Sequence, residues 1–298
     1  MYPILINLAK LNQKGGDDLI KVMTYNVSWE ALEGAKSRKL NMEQCIINNV
    51  NQCSNNIAKI IQQYGSNHDF IALQEIQDTP NQWQQLKSNI QQTFLNDFQT
   101  EFTTAGRSGL LTMYNKNKYH LIDKFDGSLP TNSNDSRSYQ VLVFSENIIL
   151  INIHMSHNYV SLVNSFKRLR LIINKIIKKY SRNDFRVIFC GDFNYNDPFM
   201  VPEFQKILKR MSTNFQPETT LSNREFLPRK AMPFDETKLI TCCSNKITKK
   251  YDKSADHIFD NQTNSLINYQ TLIDLNEFIS NEQIIMSDHL PVFAIFTK

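Results

Sequence analysis

Apolar positions return along this chain in two rhythms: short unbroken runs bounded by turn residues, and longer stretches where they recur every third or fourth residue. The first rhythm predicts buried strands, the second amphipathic helices. Strands are expected over Lys21–Val27, Asp69–Gln74 and Arg186–Cys190. Gly109–Tyr114 is expected to pair with Tyr119–Phe125 around Asn115-Lys116-Asn117, and Tyr139–Phe144 with Ile148–Ile153 across Ser145-Glu146-Asn147. Ala255–Phe259 reads as a further short strand, and Pro291–Thr297 alternates as a closing one.

The strongest helical pattern is Ser161–Tyr180. Leu162, Phe166, Leu169, Ile173, Ile176 and Tyr180 share one face, and Lys167, Arg168, Arg170, Lys175, Lys178 and Lys179 lie off it. Such a basic face is ordinarily a solvated one. Cys53–Tyr64 is a second helix, with Ser54 as its expected N-cap and Gly65 ending it. Trp83–Phe98 and Glu203–Met211 are expected to be helical as well. From Pro198 to Lys253 the pattern is least regular, with Pro202, Pro217, Pro228 and Pro233 and a basic run at Lys246, Lys249, Lys250 and Lys253. Beyond its short helix it reads as long loops, which in compact domains often carry function. No repeat and no linker-like composition shift interrupts the chain. The economical reading is one α/β domain over 21–298, preceded by an extension at 1–20.

Composition narrows this only modestly. With 41% hydrophobic and 21% charged residues among 298, the chain is neither disordered nor too short for a large core. A net charge of +4 fits a polyanionic substrate without requiring one. Cys45, Cys53, Cys190, Cys242 and Cys243 show no metal-binding spacing and read as reduced structural thiols. Met1–Leu11 lacks the basic start and cleavage site of a signal peptide, and no apolar run reaches the roughly 18 residues of a membrane span. An intracellular monomer, in cytoplasm or nucleus, is expected.

The chemistry sits where strands meet polar residues. Lys21–Tyr25 leads to Asn26, Phe70–Gln74 to Glu75, Ile148–Ile153 to His154, and Arg186–Gly191 to Asp192 and then Asn194. Ala255 runs into Asp256, and Asp288-His289 immediately precedes the closing strand. In layered α/β folds ligands collect at strand ends, and a carboxylate there must be solvated, paired or metal-bound. Taken singly, each is an ordinary strand terminus; the ordered set points to a site.

That set resembles the DNase I-like endonuclease/exonuclease/phosphatase superfamily over about Lys21–Lys298. The matching segments are Met23-Thr24-Tyr25-Asn26-Val27, Asp69-Phe70-Ile71-Ala72-Leu73-Gln74-Glu75, Ile151-Asn152-Ile153-His154, Gly191-Asp192-Phe193-Asn194, Ala255-Asp256-His257-Ile258-Phe259 and Ser287-Asp288-His289-Leu290-Pro291-Val292. The resemblance implies a four-layer sandwich, two mixed β-sheets face to face with helices outside, and a metal-dependent phosphoesterase. It implies Glu75 as the principal Mg²⁺ ligand, with Mn²⁺ able to substitute, and Asn26 and Asp288 beside it. It implies Asp192 orienting and deprotonating water and Asn194 contacting phosphate or nucleophile. His289 would be the acid, its tautomer held by Asp256, and His154 a second phosphate contact.

Other residues read more plainly. His257 stands where relatives usually carry Arg or Tyr. His157 is expected in a loop, His68 and His120 at the surface, and Arg107 within possible reach of substrate. Lys253-Ser254-Ala255-Asp256-His257 lacks the Pro- and Trp-rich signature, with Arg after the aspartate, of inositol 5-phosphatases. The missing signal peptide disfavours secreted sphingomyelinases and DNase I itself. A nucleic-acid phosphodiesterase is the preferred expectation. A lipid or small-molecule phosphoesterase and a non-catalytic binding module are the alternatives.

Overall fold

The computed structural model describes residues 18–28, 31–32, 50–76, 84, 86–103, 109–131, 137–182, 184–196, 198, 201–211, 242–244, 251–253, 255–262, 265–271, 279–280, 283–284, 287 and 289–298. Its elements in chain order are β1 (Leu19–Asn26), α1 (Val50–Gly65), β2 (Phe70–Gln74), α2 (Gln92–Asn96), β3 (Phe98–Thr103), β4 (Leu110–Asn115), β5 (Leu121–Leu129), β6 (Arg137–Phe144), β7 (Ile148–His154), α3 (Tyr159–Tyr180), β8 (Arg186–Asp192), α4 (Pro202–Met211), β9 (Cys242–Ser244), β10 (Tyr251–Lys253), β11 (Asp256–Asp260), β12 (Leu266–Gln270), β13 (Ile279–Ser280), β14 (Gln283–Ile284) and β15 (Val292–Thr297).

Two parallel strand pairs organise the chain. β1 and β2 run parallel, as do β7 and β8. Parallel neighbours need a long crossover, which α1 and α3 supply. Antiparallel strands complete a six-stranded sheet, ordered β12-β15-β1-β2-β4-β3, and a five-stranded sheet, ordered β11-β8-β7-β6-β5. β9 with β10 and β13 with β14 form small separate ribbons.

Three apolar clusters separate the layers. Ile57, Ile60 and Ile61 of α1 pack against Met23, Tyr25, Ile71 and Leu73 on the outer face of the first sheet. Val22, Phe70, Phe144, Leu150, Ile188, Ile258 and Val292 fill the space between the sheets. Phe166, Leu169 and Ile173 of α3, with Phe204 of α4, cover Ile149, Ile151 and Phe189 on the outer face of the second. Alternate residues of β1 therefore face two different cores, which explains why it reads as unbroken apolar sequence. The expected four-layer sandwich of two mixed sheets is the fold observed.

Several elements differ from expectation. β4 and β5 do not pair: β4 joins β2 and β3 in one sheet, while β5 joins β6 in the other. The turn after Asn115 thus carries the chain between sheets. The expected helix Trp83–Phe98 is broken by a turn at Asn89–Ile90, and its last residue opens edge strand β3. Helix α1 begins at Val50, leaving Ser54 buried inside the helix and not at its cap. Asn158 caps α3, its side chain accepting from the Ser161 amide. β1 starts at Leu19, upstream of the expected Lys21. Cys53 is disulfide-bonded, against the expectation of reduced thiols throughout. Among the described residues no helix is long and apolar enough to cross a membrane.

Candidate active site

Parallel pairing brings C-terminal strand ends together. Register aligns Asn26 with Gln74, so Glu75 follows beside Asn26 at the end of the first pair. His154 aligns with Asp192 in the second pair, and antiparallel β11 sets Asp256 opposite Asp192. One hydrogen bond within the first sheet and one across to the second place these ends at one pole. The Asn26 Nδ2 donates to Glu75 Oε1 at 3.2 Å and to Asp192 Oδ2 at 2.9 Å. Glu75, just past its strand, has φ 62, and Asn194 has φ 51, conformations that cost energy outside glycine and cluster at functional sites. Gly191 is required for a different reason than a tight turn. A Cβ there would lie 2.0 Å from the Ile153 carbonyl oxygen, so only glycine lets β8 close on β7 beneath the site.

His289 enters from just before β15. Its Nδ1 donates to Asp256 Oδ2 at 2.8 Å, which leaves Nε2 as an acceptor facing Asn26 Nδ2 at 3.4 Å and Asp192 Oδ2 at 3.9 Å. Ser287 ties this segment down: its hydroxyl donates to the Asn26 carbonyl at 2.6 Å and accepts from the His289 amide at 3.1 Å. Asp192 Oδ1 accepts from the Asn194 amide at 2.8 Å, and Asn194 Nδ2 donates to the Met155 carbonyl at 2.8 Å. His154 Nε2 lies 3.6 Å from Glu75 Oε1 and 3.5 Å from Asp192 Oδ2. Asn26, Glu75, His154, Asp192, Asn194, Asp256 and His289 thus meet in one cluster. Asp288 lies outside the described residues.

Burial sets the charges. Asp192 is pushed up to about 6, chiefly by desolvation; His289 opposes the shift and Asp256 adds to it. His154 is held well below its ordinary value by burial first and then by the neighbouring Arg137, so it is neutral. The donor set fits a divalent cation. Glu75, His154 and Asp192 each offer a ligand atom within 4.8 Å of the others, and a buried carboxylate short of positive charge is what a hard cation relieves. The Asn26 amide presents its nitrogen to both carboxylates, while its Oδ1 accepts from the Ser28 amide at 3.0 Å.

Below the cluster a buried polar chain joins the sheets. Gln74 Nε2 donates to Asn152 Oδ1 at 2.8 Å and Thr24 Oγ1 at 2.9 Å, and Asn152 Nδ2 reaches Leu73 O, Leu111 O and Thr112 Oγ1. This fixes the spacing of the two strand ends that carry Glu75 and His154.

Sequence reading missed Arg137, whose guanidinium donates to His154 Nε2. The pattern gave no signal for it: β6 pairs Tyr139 with Ile153, so extending the register sets Ser138 opposite His154 and Arg137 one residue further on, at the entry of the strand. His257 points away from the cluster. Its ring lies over Phe259 at 5.3 Å and donates through Nε2 to the Tyr195 carbonyl at 3.0 Å, on the outer face of β11. His157 and His120 are exposed as expected, but His68 is half-buried against Phe293, with ring centroids 5.2 Å apart. Burial drives it down to about 4. Arg107, Lys246, Lys249 and Lys250 lie outside the described residues.

The sequence profile of the Endonuclease/Exonuclease/phosphatase family matches residues 23–289. A curated relative, the uncharacterized protein L684 of Acanthamoeba polyphaga mimivirus, is 27% identical over 292 residues, covering 93% of this chain and 50% of its own length. The chain therefore spans about half the length of the curated relative it matches. Among solved structures, truncated TDP2 of Caenorhabditis elegans superposes with TM-score 0.59 at 17% identity, covering 94% of this chain and 98% of that one. ANGEL2, a 2′,3′-cyclic phosphatase, gives TM-score 0.64 at 17% identity, with 93% and 95% covered. A mannosyl-6-phosphatase of Bacteroides thetaiotaomicron gives 0.62 at 16%, with 94% and 100% covered. At these identities the likeness is one of fold.

Proposed function

The chain belongs to the endonuclease/exonuclease/phosphatase family, and we propose that its pocket hydrolyses phosphodiester bonds in nucleic acid with a divalent metal ion. Members of this family are phosphoesterase hydrolases. The observation that carries the reading is the Asn26 amide joining Glu75, Asp192 and His289 from separate elements in one buried cluster.

Phosphorus is shielded by anionic oxygens, and a divalent cation at Glu75 and Asp192, Mg²⁺ or in its place Mn²⁺, would neutralise them. The remaining work belongs to the protein. Asp192, buried with its Oδ2 turned toward Asn26 and His289, is placed to orient a water and take its proton. Asn194 fixes Asp192 through its backbone amide and keeps one side-chain N–H beyond the Met155 bond for a phosphate oxygen. Asp256 holds His289 through Nδ1 with Nε2 toward the reacting centre, where the ring, after Nε2 takes a proton from solvent, would give that proton to the leaving oxygen. His154, neutral, and Arg137 beside it supply a polar wall and a fixed positive charge for the phosphate. Asp288 is assigned to the metal shell by its place beside His289 in sequence.

Nucleic acid is preferred as substrate because the chain is basic, at +4, as suits a polyanion. The test is a metal-dependent hydrolysis panel of single- and double-stranded DNA, RNA, a 5′-tyrosyl oligonucleotide, sphingomyelin, phosphoinositides and a sugar phosphate. Turnover of an oligonucleotide supports the reading. Turnover of a lipid or sugar phosphate alone overturns the substrate while leaving the chemistry, and no turnover of any returns the chain to a binding module.

A further inference from the structure

Helix α3 concentrates positive charge. Its 22 residues include six basic and no acidic side chain. Arg170 is consumed by Glu203 at 2.9 Å and Lys179 by Asp123 at 2.6 Å. The carboxylate of Glu203 is shared further with Lys206 at 2.7 Å and feels Lys167. Lys167, Arg168, Lys175 and Lys178 are exposed, and no ion pair engages them among the described residues. At 100° per residue all four fall on the solvent side of the helix, around exposed Leu171 and opposite the buried stripe of Leu162, Phe166, Leu169 and Ile173. These four cations equal in number the net charge of the whole chain, +4.

The face is also connected to the pocket. α3 begins directly after the four-residue loop that leaves His154, with Tyr159 47% and Val160 55% exposed at its first turn. The Tyr159 ring lies 6.0 Å from that of Tyr195, the residue after Asn194. From that rim the helix descends the flank of the molecule. Val160 to Lys178 spans about 27 Å at 1.5 Å per residue, the length of about eight nucleotides of one strand at 3.4 Å each.

We propose that the outer face of α3 is a track for the sugar-phosphate backbone of a nucleic acid whose reacting phosphate sits in the pocket. This rests on the nucleic-acid reading of the site. An anionic membrane fits the face less well, because insertion needs a broad apolar face and that of α3 is already buried against the second sheet. Four phosphates neutralised on single-stranded nucleic acid release counterions with a slope of about 0.7 each, so the track adds about 3 to the salt slope. A fourfold rise in salt then costs a long strand about 60-fold in affinity that a short one never had.

The experiment compares labelled oligonucleotides of about 6 and about 24 nucleotides by fluorescence anisotropy across a salt series, in EDTA so that neither is cleaved. Wild type is compared with Lys167→Ser/Arg168→Ser/Lys175→Ser/Lys178→Ser, and with a charge-preserving variant, Lys167→Arg/Lys175→Arg/Lys178→Arg. The expected result is a steeper slope for the long strand in wild type, loss of that excess in the serine variant and its retention in the arginine variant. Equal slopes for both lengths in wild type, or an unchanged slope in the serine variant, overturn the track. Magnesium-dependent cleavage of the short strand is measured in parallel. Cleavage with no length effect removes the track and keeps the substrate reading; a length effect with no cleavage of either strand does the reverse. Co-sedimentation with phosphatidylserine vesicles that is lost in the serine variant, with no slope on nucleic acid, assigns the face to membrane and overturns the track.

Discussion

Replacing Asp192 with asparagine is expected to stabilise the metal-free protein while removing its activity. Asp192 is 1% exposed, and its carboxyl is raised from 3.8 to about 6. A carboxyl with a raised folded value holds its full stability below the unfolded value and loses it as pH rises through the folded one. About two units at 1.36 kcal/mol each make the ionised group cost about 3 kcal/mol at pH 8. Asparagine escapes that cost at every pH. It has one side-chain oxygen, so it keeps only one of the hydrogen bonds from Asn26 at 2.9 Å and the Asn194 amide at 2.8 Å, a loss of about 1 kcal/mol. The net expectation is a gain of about 2 kcal/mol at pH 8 in EDTA, passing through zero to a loss of about 1 kcal/mol as pH falls from about 6 to about 4. Urea denaturation of both proteins across that range measures it. Adding Mg²⁺ should then raise the wild-type midpoint much more than that of the variant, because binding to the folded state stabilises it by mass action. A variant less stable at every pH in EDTA, or an equal Mg²⁺ response, would refute the placement of an uncompensated charge at Asp192.

Other perturbations follow from the same geometry. Glu75→Gln should keep the fold but weaken Mg²⁺ binding in a calorimetric titration, since a neutral amide is a poorer ligand for a hard cation. Asn152→Leu should destabilise the protein by about 2–3 kcal/mol by urea titration, as it strips partners from Gln74 and Thr112 between the sheets. His68, lowered to about 4 mainly by burial, contributes stability that is present above its ordinary value near 6.5 and lost as pH falls toward 4. His68→Phe should therefore lose about 2 kcal/mol less than wild type between pH 7 and about 4.5, the full shift being discounted for the ring's partial exposure.

Strand ends were legible because β1, β2, β7 and β8 are covered on both faces, so their apolar runs stop only where the pole begins. The same rule failed at the margins. Edge strand β3 has only its end residues buried, and Phe94 with Phe98 at helical spacing concealed its start. Tyr114 and Tyr119 flank a turn that looks like a hairpin, yet both rings lie in the cluster between the sheets. A local pattern reports burial, not which of two facing sheets a strand will join. Asp256 was readable from its place at a strand start, and its partnership with His289 from resemblance alone. Arg137 was not readable without the β6–β7 register, because an arginine at a strand entry is ordinarily a solvated one.

The most direct test of the whole account is the initial rate of hydrolysis of a chromogenic phosphodiester by wild type and by His289→Gln, each with Mg²⁺ and with EDTA. The account predicts that wild type turns over only with Mg²⁺, and that the variant, folded by circular dichroism, is slower by about 100-fold or more. Turnover in EDTA, or a variant as fast as wild type, would contradict the assignment of this cluster as a metal-dependent phosphodiesterase site.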